Sequence, residues 1–201
     1  MKNSQGELIK KKIQKRELVI ETILQDKCFI ADVWNLSQKI IECFENGNKL
    51  FFCGNGGSAA DCQHIVAEFI VKLSDLRKSL PAIALTSNNS IITAISNDID
   101  YNYVFVRQLE GMIYPGDILI GISTSGRSQN VINAFEYANK HGLYTISVTG
   151  SNNNVLRDLA NEKIVIPSED TQIVQEMYLM VFHIVCENID EYYLNHNKNC
   201  F

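Results

Sequence analysis

The stretch Lys49 to Lys72, KLFFCGNGGSAADCQHIVAEFIVK, limits the folds open to this chain more than any other. An apolar run, Leu50 to Cys53, breaks into Gly54-Asn55-Gly56-Gly57, and from Ser58 apolar residues recur at helical spacing as far as Val71. The pattern predicts a strand, a glycine loop and a helix. Such a loop presents unpaired backbone N–H groups at the positive end of the helix dipole, which suits an anion such as phosphate. Asn55, Gly56, Gly57 and Ser58 are the residues placed to hold it. His64 and Glu68, four residues apart, share a face of the helix and are expected one turn above the loop.

Two plainer readings compete. A GNGG segment between a strand and a helix also fits a simple tight turn. It fits, too, a G-x-G-x-x-A dinucleotide fingerprint through Gly54, Gly56 and Ala59, but that reading wants an acid at the end of the second strand. Here the second strand, Ala82 to Leu85, runs into Thr86-Ser87-Asn88-Asn89, so no nucleotide cofactor is expected.

The rest of the chain agrees with an α/β reading. Further short apolar strands are expected at Ile118–Ile122, Thr145–Thr149 and Lys163–Ile166, and helices at Ser58–Lys72, Ser128–His141 and Val155–Ala160. This alternation predicts a three-layer α/β/α sandwich around a five-stranded parallel sheet. A single domain spans residues 1–201, with a helical extension over about 8–47 that splits into two helices near Asp26 to Cys28, and a loose tail over 195–201. The two leading helices are apolar on one side, so they either cap their own sheet or pack against another subunit. A last helix from about Thr171 to Leu194 is apolar over most of its surface and should be largely buried.

A formal charge of −5 argues against a nucleic-acid surface, and the basic patch Lys10 to Lys12 with Lys15 and Arg16 reads as a solvated helix face. Six scattered cysteines without a C-x-x-C pair suit a reducing compartment. With no leading apolar segment and no run long enough to cross a bilayer, a cytoplasmic location and no membrane partner are expected.

A second anion site is expected after the third strand, where Ser123-Thr124-Ser125-Gly126-Arg127-Ser128 puts four hydroxyls at a helix start. A serine-rich turn is also an ordinary helix cap. Neither loop carries the lysine of a Walker P-loop, so a simple phosphate ester fits better than a nucleoside triphosphate. Asn97-Asp98 reads as turn chemistry that could also meet sugar hydroxyls. On the last helix, periodicity alone selects Glu176, seven residues before His183, over Gln175 as the histidine's neighbour.

Taken together, GNGGSAADCQH with its V-A-E, PAIAL, ISND, DILIGISTSGRSQNVI and QEM with the later His183 resemble the sugar isomerase (SIS) fold, a flavodoxin-like arrangement. Within it they resemble the phosphoheptose isomerases, over roughly Leu50 to Tyr192. The resemblance implies an aldose–ketose isomerase that converts sedoheptulose 7-phosphate to D-glycero-D-manno-heptose 7-phosphate for bacterial surface polysaccharides. It implies homotetramers with active sites shared between subunits. Carried over position by position, Glu68 and His183 match the catalytic pair, and Ser123, Thr124, Ser125 and Ser128 match the phosphate loop. Asn55 to Gly57, Asn97, Asp98 and Gln175 match other substrate contacts. In some members zinc is held by residues matching His64, Glu68, Gln175 and His183, which replaces Glu176 by Gln175 as the functional neighbour.

Three positions depart from the family pattern. Lys72 and Ile173 stand where arginine is usual, and Gln172 where well-studied members have aspartate. Lysine keeps the charge without the planar fork, and isoleucine keeps neither. The competing reading is a non-catalytic SIS protein that binds a phosphosugar or a protein partner; retention of Glu68 and His183 favours the enzyme.

Overall fold

In the computed structural model, residues 2–73 and 77–196 are described, with side chains from residue 5 onward. The helices are α1 (Lys2–Gln25), α2 (Lys27–Glu45), α3 (Gly57–Ile70), α4 (Asn89–Asp98), α5 (Val106–Leu109), α6 (Gln129–Lys140), α7 (Val155–Leu159) and α8 (Thr171–His196). The strands are β1 (Leu50–Gly54), β2 (Ala82–Ala84), β3 (Ile118–Ile122), β4 (Tyr144–Thr149) and β5 (Glu162–Val165). The five strands pair in parallel in the order β2-β1-β3-β4-β5.

Each central strand is buried on both faces, and its side chains alternate between two cores. Phe52, Ile120 and Ile146 meet Leu36 and Ile40 of α2, Ile65 and Phe69 of α3 and Phe182 of α8. Phe51 and Leu119 meet Val131 and Phe135 of α6 on the opposite face. Period-two alternation in runs such as LFFCG and ILIGI therefore buries every residue, as a doubly covered parallel sheet requires. Each large apolar side chain so buried contributes about 1.5–3 kcal/mol. Gly121 is needed on β3 because a Cβ there would overlap Phe135, so α6 can lie close against the sheet.

The expected break between the leading helices falls at Asp26, whose carboxylate accepts from Cys28 N and Phe29 N and so caps α2. The two helices bury their apolar residues to different extents. α2 covers the sheet through Phe29, Val33, Leu36, Ile40 and Ile41, whereas α1 buries Val19 and Ile23 but leaves Leu8, Ile9, Ile13, Leu18 and Leu24 exposed. α8 runs two residues beyond its expected end, so Asn195 and His196 are helical; the rest of the tail assigned as loose lies outside the described residues. None of the described helices is long and apolar enough to cross a membrane.

Candidate active site

The two expected anion loops leave adjacent strands at one edge of the sheet, Gly54 of β1 lying beside Ile122 of β3. Strand order reverses between β1 and β3, and open α/β sheets receive ligands at such a switch point. In the first loop Gly56 has φ +55° at the start of α3, and a Cβ on Gly57 would overlap the Gln175 amide. In the second, Ser123 Oγ and Ser128 Oγ lie 3.1 Å apart, and Ser125 Oγ accepts the Arg127 N–H at 3.3 Å. Ser128 starts α6 without its hydroxyl capping the helix, and Thr124 is half-buried while Ser125 is exposed. Gly126, at φ +63°, leaves room for Asn154, whose side chain caps α7.

The two loops are tied together by residues that sequence spacing does not announce. The Asn55 and Asn130 amides exchange hydrogen bonds of 2.8 and 2.9 Å, and the Tyr101 hydroxyl donates to Asn55 Oδ1 at 2.8 Å. Asn130 is buried in the first turn of α6. Asn97 and Asp98 end α4, exposed, with the Asn97 amide donating to Asp98 Oδ1 at 2.7 Å.

Helices α3 and α8 lie side by side on the same face of the sheet, and their contacts climb in step. Gln175 sits against Gly57; the Tyr178 hydroxyl lies 3.0 Å from Ser58 Oγ and donates to Asp61 Oδ2 at 2.5 Å; the His183 ring is 5.4 Å from the His64 ring. The helices therefore run in the same direction. Burial first, and the Asp61 carboxylate second, raise the Tyr178 hydroxyl well above the ordinary tyrosine range, so it remains a donor. Ser58, buried against that hydroxyl, is part of the helix seam as well as of the glycine loop.

Further along the seam, His64 Nε2 lies 3.2 Å from Glu68 Oε1, and one ligating atom each of His64, Glu68 and His183 falls within 4.8 Å of the others. The His64 side chain is 46% exposed and that of Glu68 17%. His183 Nε2 is buried with no hydrogen-bond partner among the described residues. An orphaned imidazole nitrogen beside a carboxylate and a second imidazole is an arrangement that an ion or a substrate oxygen would complete. A concavity at the opposite edge of the sheet, lined by Lys39, Glu42, Cys43 and Tyr144, holds no such convergent set.

Two expectations are corrected. The His64–Glu68 pair is not one turn above the loop: at 1.5 Å per residue, His64 stands about 10 Å and Glu68 about 16 Å along α3 from Gly57. Glu176 is not the neighbour of His183, since two turns, about 10 Å, separate residues seven apart on one stripe. Its carboxylate instead pairs with Arg16 of α1 at 2.6 Å. Of the departures, Ile173 is buried in the core, while Lys72 and Gln172 are exposed.

Among known proteins, the SIS domain family matches residues 16–150, and the five-stranded parallel sheet agrees with that class. Phosphoheptose isomerase from Nitratiruptor is 44% identical over 92% of this chain and 98% of its own, and that from Clostridium acetobutylicum 43% over 95% of each. The solved phosphoheptose isomerase of Neisseria gonorrhoeae superposes with a TM-score of 0.86 at 30% identity, over 93% of this chain and 99% of that one. The chain belongs to the phosphoheptose isomerase family and is an isomerase.

Proposed function

We propose that the chain interconverts sedoheptulose 7-phosphate and D-glycero-D-manno-heptose 7-phosphate through an enediol, supplying heptose for bacterial surface polysaccharides. The observation that carries this reading is the convergence of Glu68 and His64 from α3 with His183 from α8. Moving a carbonyl from C2 to C1 requires a proton to leave C1 and arrive at C2 while the two oxygens exchange a proton. Glu68 takes the C1 proton and returns it to C2, and His183 Nε2 holds the proton exchanged between O1 and O2. The phosphate is assigned to Ser123, Thr124, Ser125 and Ser128 with the α6 N-terminus, and the sugar chain to Asn55, Gly56, Gly57, Ser58, Asn97, Asp98 and Gln175.

The His64, Glu68 and His183 donors suit zinc in type, and with an ion bound His183 Nε2 would be its ligand instead of a proton carrier. Gln175, against Gly57 and about 12 Å along α8 from His183, would join such a site only from a second copy. Bound there, zinc would polarise substrate oxygens. Metal analysis before and after chelation tests that assignment, with loss of bound zinc in a His64→Ala variant as the expected result.

A homotetramer with shared sites is part of the proposal. The roughly 16 Å of helix between the glycine loop and Glu68 supports completion of each site by a second copy. So does the apolar groove that Ile30 and Trp34 of α2 form with Ile184 of α8, which are 50%, 56% and 39% exposed. The reaction itself is tested by incubating the protein with sedoheptulose 7-phosphate and following the aldose by NMR. Product formation is expected; tight binding with no product would instead establish a sensor.

A further inference from the structure

Helix α3 ends without the usual means of closing its last turn. It has no basic residue there, and the residue after its C-cap, Val71, is Lys72 rather than the glycine that most often closes a helix. The exposed carbonyls are taken instead by a side chain from farther along the chain. Arg77 Nη2 donates to Glu68 O and Nη1 to Phe69 O, each at 2.8 Å, and Nη1 also reaches Lys78 O at 3.2 Å. Its Nε donates to the Asp190 carboxylate of α8. Arg77 is 2% exposed and Asp190 1%.

These contacts have a consequence for the reacting groups. Asp190 lies two turns beyond His183 on the same stripe of α8, while Arg77 grips the backbone of Glu68 itself. One planar guanidinium thus joins the helix that presents the carboxylate to the helix that presents the imidazole, and a lysine could not reach all these acceptors in their fixed geometry. We infer that Arg77 is a positioning residue for the isomerisation, holding Glu68 at its working distance from His183 through the Glu68 carbonyl and Asp190. The inference rests on the reading of Glu68 and His183 as the catalytic pair.

The test uses the full chain and sedoheptulose 7-phosphate. Removing one member of a buried ion pair strands the other, so the main variant replaces both by apolar side chains of similar size, Arg77→Met with Asp190→Leu. Arg77→Lys, which keeps a cation opposite Asp190, serves if the double variant precipitates. Misplacement of a reacting group by an ångström is enough to lower turnover about a hundredfold. The expected result is therefore a fall in kcat of about ten- to a hundredfold, with KM unchanged and thermal unfolding still cooperative. Wild-type kcat in a cooperatively folded variant, or a loss confined to KM, would overturn the inference. Glu68→Gln is run alongside: if it keeps full activity, the catalytic pairing itself is wrong and the inference falls with it, whereas an inactive Glu68→Gln beside an unimpaired Arg77 variant overturns the positioning role alone.

Discussion

Asp117, fully buried, and His183, half-buried with its Nε2 shut away from solvent, both hold polar atoms inside the fold, and their surroundings differ completely. Asp117, just before β3, accepts from Lys49 N at 3.0 Å, Lys49 Nζ at 2.8 Å, Tyr114 N at 2.8 Å and the Asn48 amide at 3.3 Å. Every lone pair that matters is used, so the residue knots β1 to β3 and has nothing left to offer a ligand. His183 Nε2 is buried with no such partner, beside a carboxylate and another imidazole. A saturated buried polar group marks architecture, and an orphaned one marks a place where binding supplies what folding did not. Ser147 Oγ and Glu162 Oε1 are also orphaned, but neither belongs to a cluster of metal-binding or acid–base groups drawn from two helices.

Mutation can break this contrast. Asp117→Ala leaves the Lys49 ammonium and three other donors without their acceptor, and should destabilise the fold by about 3–5 kcal/mol in urea unfolding. Turnover per folded molecule should stay at the wild-type value; a large loss of turnover in the folded fraction would erase the distinction. Glu68→Gln and His183→Gln should do the reverse, each lowering turnover by about two orders of magnitude or more with little change in the unfolding midpoint. Ser128→Ala removes a hydroxyl assigned to the phosphate and should raise KM by roughly tenfold, the worth of one hydrogen bond to a charged group.

The smallest effect concerns the third orphan. Burial, above all, raises the Glu162 carboxyl above its ordinary value. The folded chain therefore takes up this proton at a higher pH than the unfolded chain, so the penalty is fully present above the folded value and vanishes as pH falls through the unfolded carboxylate range. Glu162→Gln should raise Tm by on the order of 2 °C at pH 7, and the gain should shrink on acidification. A gain that grows toward low pH would contradict the assignment.

Much of the architecture is legible in the sequence because the strands are short apolar runs buried on both faces, and the helices between them carry a clear period. The boundary at Asp26 is legible too once its role as a cap is considered. What escapes is long-range. The middle of α4, Ile91 to Ile95, reads as helical in the sequence too, but its start does not: Asn88 caps it through Ile91 N within the polar run Thr86 to Ser90. The buried Val104, Phe105 and Leu109 carry α5 in a segment too short for periodicity to show. In the site, the glycine and hydroxyl loops announce themselves locally, whereas Asn130, Tyr101, Tyr178 and Arg77 act through partners distant in sequence. Glu176 shows the limit of periodicity: it shares a stripe with His183, yet Arg16, from a helix at the other end of the chain, is what it meets.

The central claim is that the carboxylate of Glu68 moves a carbon-bound proton of the sugar. Isomerisation in deuterated water, followed by NMR at C1 and C2, measures this directly. Wild-type protein should introduce deuterium at the reacting carbons as product forms, and Glu68→Gln, folded and with phosphosugar affinity intact, should introduce it about a hundredfold more slowly. Equal rates of deuterium entry in the two proteins would contradict the account.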